Sequence, residues 1–256
     1  MKQFLIGSLL AAIAAAQPAI RPPQMGFSGG AAGTLRPVYG VAGNFILGPP
    51  VAAKVISQAF SGSLGLLKTD ATLVAFDGQG HVFASMDAVA GPALFAFSPD
   101  GVTALAYVAN SNTLVEWRGG KFSTVPFPPE PDTVVAIAMP TAFDAALIID
   151  RNGDLWESWL QLGHASVSSQ RALAGITSPL LALASGDFVY GDASGIVVRK
   201  PDNSEVHVAA RLPAKFSLQQ MGSDWVQLAD LESGRRFAIR ISSGHECLFQ
   251  LPEAAP

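Results

Sequence analysis

Asp150-Arg151-Asn152-Gly153-Asp154 sets oxygen-bearing side chains at the first, third and fifth places of a loop, the opening of the pattern that wraps a calcium ion. The pattern then breaks. Leu155 stands where such a loop needs Gly for its sharp turn, and Gln161 where it needs a bidentate Glu. A plain hairpin turn is the reading these residues leave. His81, His164, His207 and His245 lie far apart, with no His-x-His or His-x-x-x-His spacing, so the sequence lends no support to a metal centre. No Gly-x-Ser-x-Gly elbow marks a nucleophile, although a Ser-His-Asp set is defined by geometry and needs no fixed spacing. Both glycine patterns that cradle phosphates are absent. Trp117, Trp156, Trp159 and Trp225 could stack on sugars, but packing between elements is the commoner fate of such rings. Neither a metal nor a cofactor is expected.

The elements that would position these residues are short strands. From Pro37 onward no long 3.6-residue periodicity appears, while runs of alternating or continuous apolar residues are separated by turn residues. The runs fall into groups of four. The clearest is 93–97, 102–108, 114–117 and 122–127; the next are 133–139, 145–149, 155–159 and 165–168, then 179–184, 188–190, 196–200 and 205–209. The last comprises 215–220, 225–229, 236–241 and 246–251, and an upstream group comprises 53–60, 64–68, 72–76 and 81–85. Group starts at 53, 93, 133, 179 and 215 give spacings of 40, 40, 46 and 36.

The turns repeat too. Asp-x-x-Gly recurs at Asp77, Asp150 and Asp192, with a longer copy from Asp230 to Gly234 and a degenerate one from Ala109 to Asn112. Asp accepts hydrogen bonds from the backbone just ahead of it, and Gly takes the positive φ a hairpin needs. First and second strands are apolar on both faces, as sheets covered on both sides require, whereas later strands carry charge, which protects an outer edge. A four-stranded unit repeating every 40 residues or so is the pattern of a β-propeller blade. The chain therefore reads as all-β, a propeller of five four-stranded blades, or six if 38–41 and 44–47 belong to a further, incomplete blade.

Phe97-Ser98-Pro99-Asp100-Gly101 resembles the signature of the TolB-like and WD-repeat-like propellers of bacteria, with the repeat covering about residues 50 to 251. The Trp-Asp dipeptide of WD repeats is absent. The turn from Ala229 to Gly234 is similar to that of quinoprotein-type repeats but lacks their recurring Trp, so it implies turn geometry and no quinone. The sialidase-type Asp box is missing, because Asp100 and Gly101 are adjacent.

Composition sets the remaining bounds. Of 256 residues, 49% are hydrophobic and only 14% charged, which excludes disorder for the bulk of the chain. A net charge of −4 without a run of like charges gives no footprint for nucleic acid. One positive charge at Lys2, an apolar run from Phe4 to Ala16 and the small residues before Gln17 read as a secretory signal over 1–16, too short for a membrane span. Residues 17–36, rich in Pro and Gly, read as a flexible leader, and 37–256 as a single propeller domain. Cys247, the single cysteine, excludes an internal disulfide and reads as a small buried hydrophobe.

The functional expectation is a secreted or periplasmic, monomeric, non-catalytic binding scaffold for a protein or carbohydrate, with no membrane span after signal cleavage. Its rival is an extracellular polysaccharide hydrolase or lyase with carboxylates gathered around the central channel. An apolar or plugged channel favours binding; converging carboxylates beside an aromatic platform favour the enzyme. Candidate binding positions are the charged residues of the blade-to-blade loops: Asp87, Glu130, Asp132, Arg171 and Arg211.

Overall fold

Short apolar runs punctuated by Asp, Asn and Gly turns cannot continue as helices, and each set of runs folds back on itself as an antiparallel meander. The computed structural model describes residues 22–30, 33–126, 132–164, 166–242 and 244–253. The first sheet has three strands, β1 (Gln24–Gly29), β2 (Leu35–Val41) and β3 (Asn44–Leu47). The second holds β4 (Ser57–Ser61), β5 (Leu64–Lys68), β6 (Thr72–Asp77) and β7 (Val82–Asp87); the third, β8 (Ala93–Phe97), β9 (Thr103–Val108), β10 (Thr113–Arg118) and β11 (Lys121–Val125). The fourth is β12 (Thr133–Ala138), β13 (Asp144–Arg151), β14 (Asp154–Gln161) and β15 (Ser166–Ala172); the fifth, β16 (Leu180–Ala182), β17 (Phe188–Asp192), β18 (Gly195–Arg199) and β19 (Glu205–Ala209). The sixth is β20 (Phe216–Gln220), β21 (Trp225–Asp230), β22 (Arg236–Arg240) and β23 (Cys247–Gln250). Every neighbouring pair is antiparallel, so the five four-stranded groups expected from the repeat are the second to sixth sheets.

Six hydrophobic clusters lie between successive sheets and close them into a ring. Phe27, Leu35, Phe60 and Phe76 join the first sheet to the second, and Val38, Phe45, Trp225 and Ala238 join the sixth back to the first. The other four clusters join the second to third, third to fourth, fourth to fifth and fifth to sixth sheets. Burial follows the position within a sheet. All six residues of β9 are buried, whereas most of the outer strand β15 is exposed. This is the reason for the scarcity of charge: strands covered on both faces have no room for it.

The incomplete first sheet makes the ring unequal at its centre. Counting back from the connection that leads to β4, β3 holds a fourth-strand place, β2 a third and β1 a second, so no strand among the described residues holds the innermost place. The inner strands β4 and β20 instead approach each other directly, with Cα atoms within 8 Å. Among the described residues the ring thus has six sheets at its rim and five strands around its channel.

The inner edge of β1 still needs partners for its backbone groups. Phe27 N–H donates to Met221 O at 3.1 Å and Gly29 N–H to Gln227 Oε1 at 3.2 Å, while Arg236 Nη1 donates to Gly29 O at 2.9 Å. Two glycines allow this contact. A Cβ on Gly26, whose φ is +147°, would sit 1.7 Å from Met221 O, and one on Gly222 would sit 2.2 Å from Met25 O.

Of the leader expected over 17–36, ahead of a domain expected to start at 37, residues 17–21 and 31–32 lie outside the described residues. Residues 24–29 and 35–36 are strand, and their glycines serve close backbone approach instead of flexibility. The signal expected over 1–16 lies outside the described residues.

The repeated turns behave as their residue types require. Asp150 Oδ1 accepts from Gly153 N–H at 2.7 Å, Asp192 Oδ1 from Ser194 N–H at 2.7 Å and Asp230 Oδ1 from Glu232 N–H at 2.9 Å. The second sheet inverts the device: the fully buried Lys68 donates from Nζ to the carbonyls of Thr69 at 2.6 Å and Asp70 at 3.0 Å. Burial lowers the Lys68 pKa, partly offset by the nearby Asp70 carboxylate.

Candidate functional site

In an up-and-down sheet the strands reverse in turn. The blade-to-blade connections and the turns between second and third strands therefore emerge on one face of the ring, and the other turns on the opposite face. At the connection face the five inner strands enclose a channel cavity of about 330 Å³, lined by residues of β4, β8, β12, β16 and β20. Leu94, Phe95, Val135, Ile137, Leu181 and Leu218 make most of the wall, with Gln58, Gln219 and Gln220 its longest polar side chains and no charged residue among the described residues of the lining.

Beside the channel, where the first sheet has no inner strand among the described residues, a groove of about 360 Å³ opens between β1, β4, β20 and β21. Ile56, Ser57, Gln58, Ser217, Gln219 and Leu231 line both spaces. Gln227, Asp230 and Arg236 line the groove alone. The one carboxylate among the described residues of its lining, Asp230, is occupied: Ser233 Oγ donates to Oδ2 and the amides of Glu232 and Ser233 to Oδ1. The Ser233 hydroxyl, followed by those amides, holds the Asp230 pKa below the usual carboxylate range. Arg236 has its pKa lowered by burial and then by the neighbouring Arg36 charge, with Glu253 acting the other way. The rim is apolar, because Ile56 is 43% and Leu231 62% exposed.

The loop residues expected to bind fall mostly where the topology puts them. Asp87 ends β7, Arg171 lies near the end of β15 and Arg211 follows β19; all three are exposed and next to blade-to-blade connections. Asp132 precedes β12 and accepts from Arg151 Nε at 2.9 Å. Arg171 is paired with Glu157 of its own sheet, so both are tied into intrasheet ion pairs. Glu130 lies outside the described residues. Of the other four, none lines the channel cavity or the groove, which are built instead by Gln58, Gln219, Gln227 and Arg236.

Other candidate chemistry resolves into structure. Asn152 and Gly153 take φ of 58° and 93°, completing a hairpin turn at the calcium-like loop. Trp225 packs edge-on against Phe45 at 5.6 Å, Trp117 against Phe83 at 5.6 Å, and Trp156 lies under the Arg151 guanidinium. Cys247 is half-buried on β23, its thiol 3.3 Å from His245 O.

A Ser-His-carboxylate set does assemble on the fifth sheet. Ser194 Oγ lies 3.2 Å from His207 Nδ1, and His207 Nε2 lies 3.5 Å from Glu205 Oε2. The same hydroxyl is 2.6 Å from Asp192 Oδ1, whose pKa is lowered by that bond first and by turn amides next. Ser194, His207 and Glu205 are all exposed, which makes the set an open turn network instead of a walled catalytic site. No three His, Cys, Asp or Glu side chains gather in metal-binding geometry among the described residues. No helix among them is long and apolar enough to cross a membrane.

The ring of six radial antiparallel sheets around a channel defines a β-propeller. No family model and no curated protein matches the chain. Solved structures do. A chain of a nidogen/laminin complex is similar with a TM-score of 0.58 and 12% identity over 87% of this chain and 91% of that one. TolB from Acinetobacter baumannii gives a TM-score of 0.57 and 12% identity over 90% of this chain, which spans 64% of the TolB chain. The WD40 propeller domain of Doa1 gives 0.50 and 13% identity over 90% and 89%. At these identities the likeness establishes the fold, and the TolB-like and WD40-like resemblance read from the repeat holds at that level.

Proposed function

We propose that the protein is a binding module that takes a segment of a partner protein on its connection face, at the mouth of the channel. The carrying observation is the lining: an apolar, uncharged channel opens sideways into a groove walled by glutamines, beneath an exposed apolar rim at Ile56 and Leu231. Such surfaces gain affinity by removing apolar area from water while a few polar groups fix orientation. A hydrolase acting on polysaccharide needs a pair of unengaged carboxylates flanking the scissile bond. Here the lining offers Asp230, already bound within its own turn. The similar chain in a nidogen/laminin complex comes from a protein–protein assembly, which supports the same reading.

We further propose that the chain is exported, with residues 1–16 removed, and acts outside the cytoplasm as a monomer. The test is capture from envelope extract by purified protein, compared with Leu231→Arg and Ile56→Arg variants. A partner bound by the parent and lost with either variant is expected. Turnover of a polysaccharide in the absence of any such partner overturns the proposal. Amino-terminal sequencing of the exported form should begin at Gln17.

A further inference from the structure

Polar side chains are concentrated at one junction of the ring. Of the eleven buried polar or charged residues among those described, four line the groove between the first, second and sixth sheets: Ser57, Gln58, Gln227 and Asp230. The other seven are spread singly or in pairs over the first to fifth sheets and their turns: Ser28, Lys68, Ser98 with Thr103, Glu157 with Ser158, and Asp187. Burying polar groups weakens a fold unless their hydrogen bonds are made within it. Three of the four meet that condition. Ser57 Oγ accepts from Ala93 N–H at 3.0 Å, Gln227 Oε1 accepts from Gly29 N–H, and Asp230 caps its turn.

Gln58 does not meet it. It is 5% exposed, it lines both the groove and the channel, and its Oε1 is enclosed without a hydrogen-bond partner. Its amide packs over Gly29, where a Cβ would fall 2.9 Å from Nε2. Gln219, on the facing inner strand, lines the same two spaces.

We infer that this groove binds an extended, uncharged peptide segment by its main chain, with the Gln58 amide pairing with one peptide unit and Gln219 holding the next. The inference rests on the proposed protein-binding role and specifies its ligand. A carboxamide carries a donor and an acceptor side by side, the complement of the N–H and C=O of a peptide group, and it does so at no net charge. Among the described residues the groove lining contains no aromatic ring on which a sugar would stack. Among the described residues the lining holds one cation and one carboxylate, Arg236 donating to Gly29 O and Asp230 bound within its own turn, so it presents no net charge to a ligand. The apolar rim and channel wall then accept the segment's side chains on either side of the bound unit.

The test uses the purified protein and linear random peptides displayed on phage. Enriched peptides are synthesised and titrated against the parent protein, Gln58→Leu and Gln219→Ala, and each is also scanned by N-methylation of its main-chain amides. The inference predicts uncharged, apolar-flanked peptides whose binding falls about tenfold or more with either substitution and with N-methylation at one or two adjacent positions. The half-buried Gln219 and the N-methyl scan keep the test decisive if Gln58→Leu fails to fold. Peptides indifferent to both substitutions and to N-methylation overturn the inference while leaving a protein-binding role intact. Failure to enrich any peptide, with binding of a trisaccharide instead, overturns both.

Discussion

Replacing Phe27 by alanine tests whether the incomplete first sheet is a working part of the ring. The ring of Phe27 is 1% exposed and meets Phe60 edge-on at 4.8 Å and Phe76 at 5.1 Å. Truncation removes the transfer free energy of a phenyl group, leaves a cavity and deletes two aromatic contacts. Collapse is hindered because the Phe76 ring is pinned over Gly65, where a Cβ would lie 2.1 Å from it. The loss should therefore be at least the middle of the Phe→Ala range, about 4 kcal/mol. For a domain of this size that is roughly a 10 °C drop in melting temperature. Urea and thermal unfolding followed by Trp fluorescence read it, with exposed Val89→Ala as a control expected within about 0.5 kcal/mol. If Phe27→Ala and Val89→Ala prove equally mild, the first sheet does not seal the ring and the reasoning fails.

Gly26→Ala should cost at least about 3 kcal/mol in the same assay, because its Cβ has to displace Met221 O and part the first sheet from the sixth. Asp132→Ala should change stability by less than about 1 kcal/mol, since its ion pair with Arg151 is partly solvated. The carboxyls of Asp100, Asp192, Asp202 and Asp230 are held below their usual range mainly by serine hydroxyls, and that of Glu205 mainly by Arg199. A depressed folded-state pKa supports stability above the unfolded value and loses it as pH falls. Unfolding free energy should accordingly be level above about pH 5, fall below pH 4, and fall less steeply in Asp230→Asn. The Tyr190 hydroxyl, raised from 10.0 to about 12 by burial first and by its bond to Glu205, should appear as a late step in an absorbance titration that Tyr190→Phe removes. Between those two values the unfolded chain loses a proton the native one keeps, so stability should decline as pH rises.

The second to sixth sheets were legible because their strands carry apolar runs and their turns carry Asp and Gly at hairpin spacing. The runs at 93–97 and 205–209 match β8 and β19 to the residue. The first sheet was half legible. Residues 38–41 and 44–47 alternate visibly, but β1 contains Gly26 and Gly29 and follows Pro22-Pro23, a composition that reads as a linker. Gly26 answers to a neighbour 195 positions away, Met221, which no local pattern announces.

The groove was hidden for a related reason: charged residues draw attention in a sequence, and this site is neutral. A comparison between repeats would have exposed it. Inner strands elsewhere read Ala93-Leu94-Phe95, Val134-Val135-Ala136 and Leu180-Leu181-Ala182, whereas β4 has Ser57-Gln58-Ala59 and β20 ends in Gln219-Gln220. Amides at places where sister strands hold Leu, Phe or Val were the available signal. The charged loop positions, by contrast, follow directly from strand order, which puts Asp87, Asp132, Arg171 and Arg211 beside blade-to-blade connections whatever they do there.

The proposed role is tested most directly by where a partner touches the ring. A photo-crosslinking residue is introduced at Leu231, on the channel rim, and separately at Phe143, which is 64% exposed on a turn of the opposite face. Irradiation in cells should yield a discrete protein adduct from Leu231 and none from Phe143. Adducts from Phe143 alone, or from neither position, would contradict binding at the channel mouth.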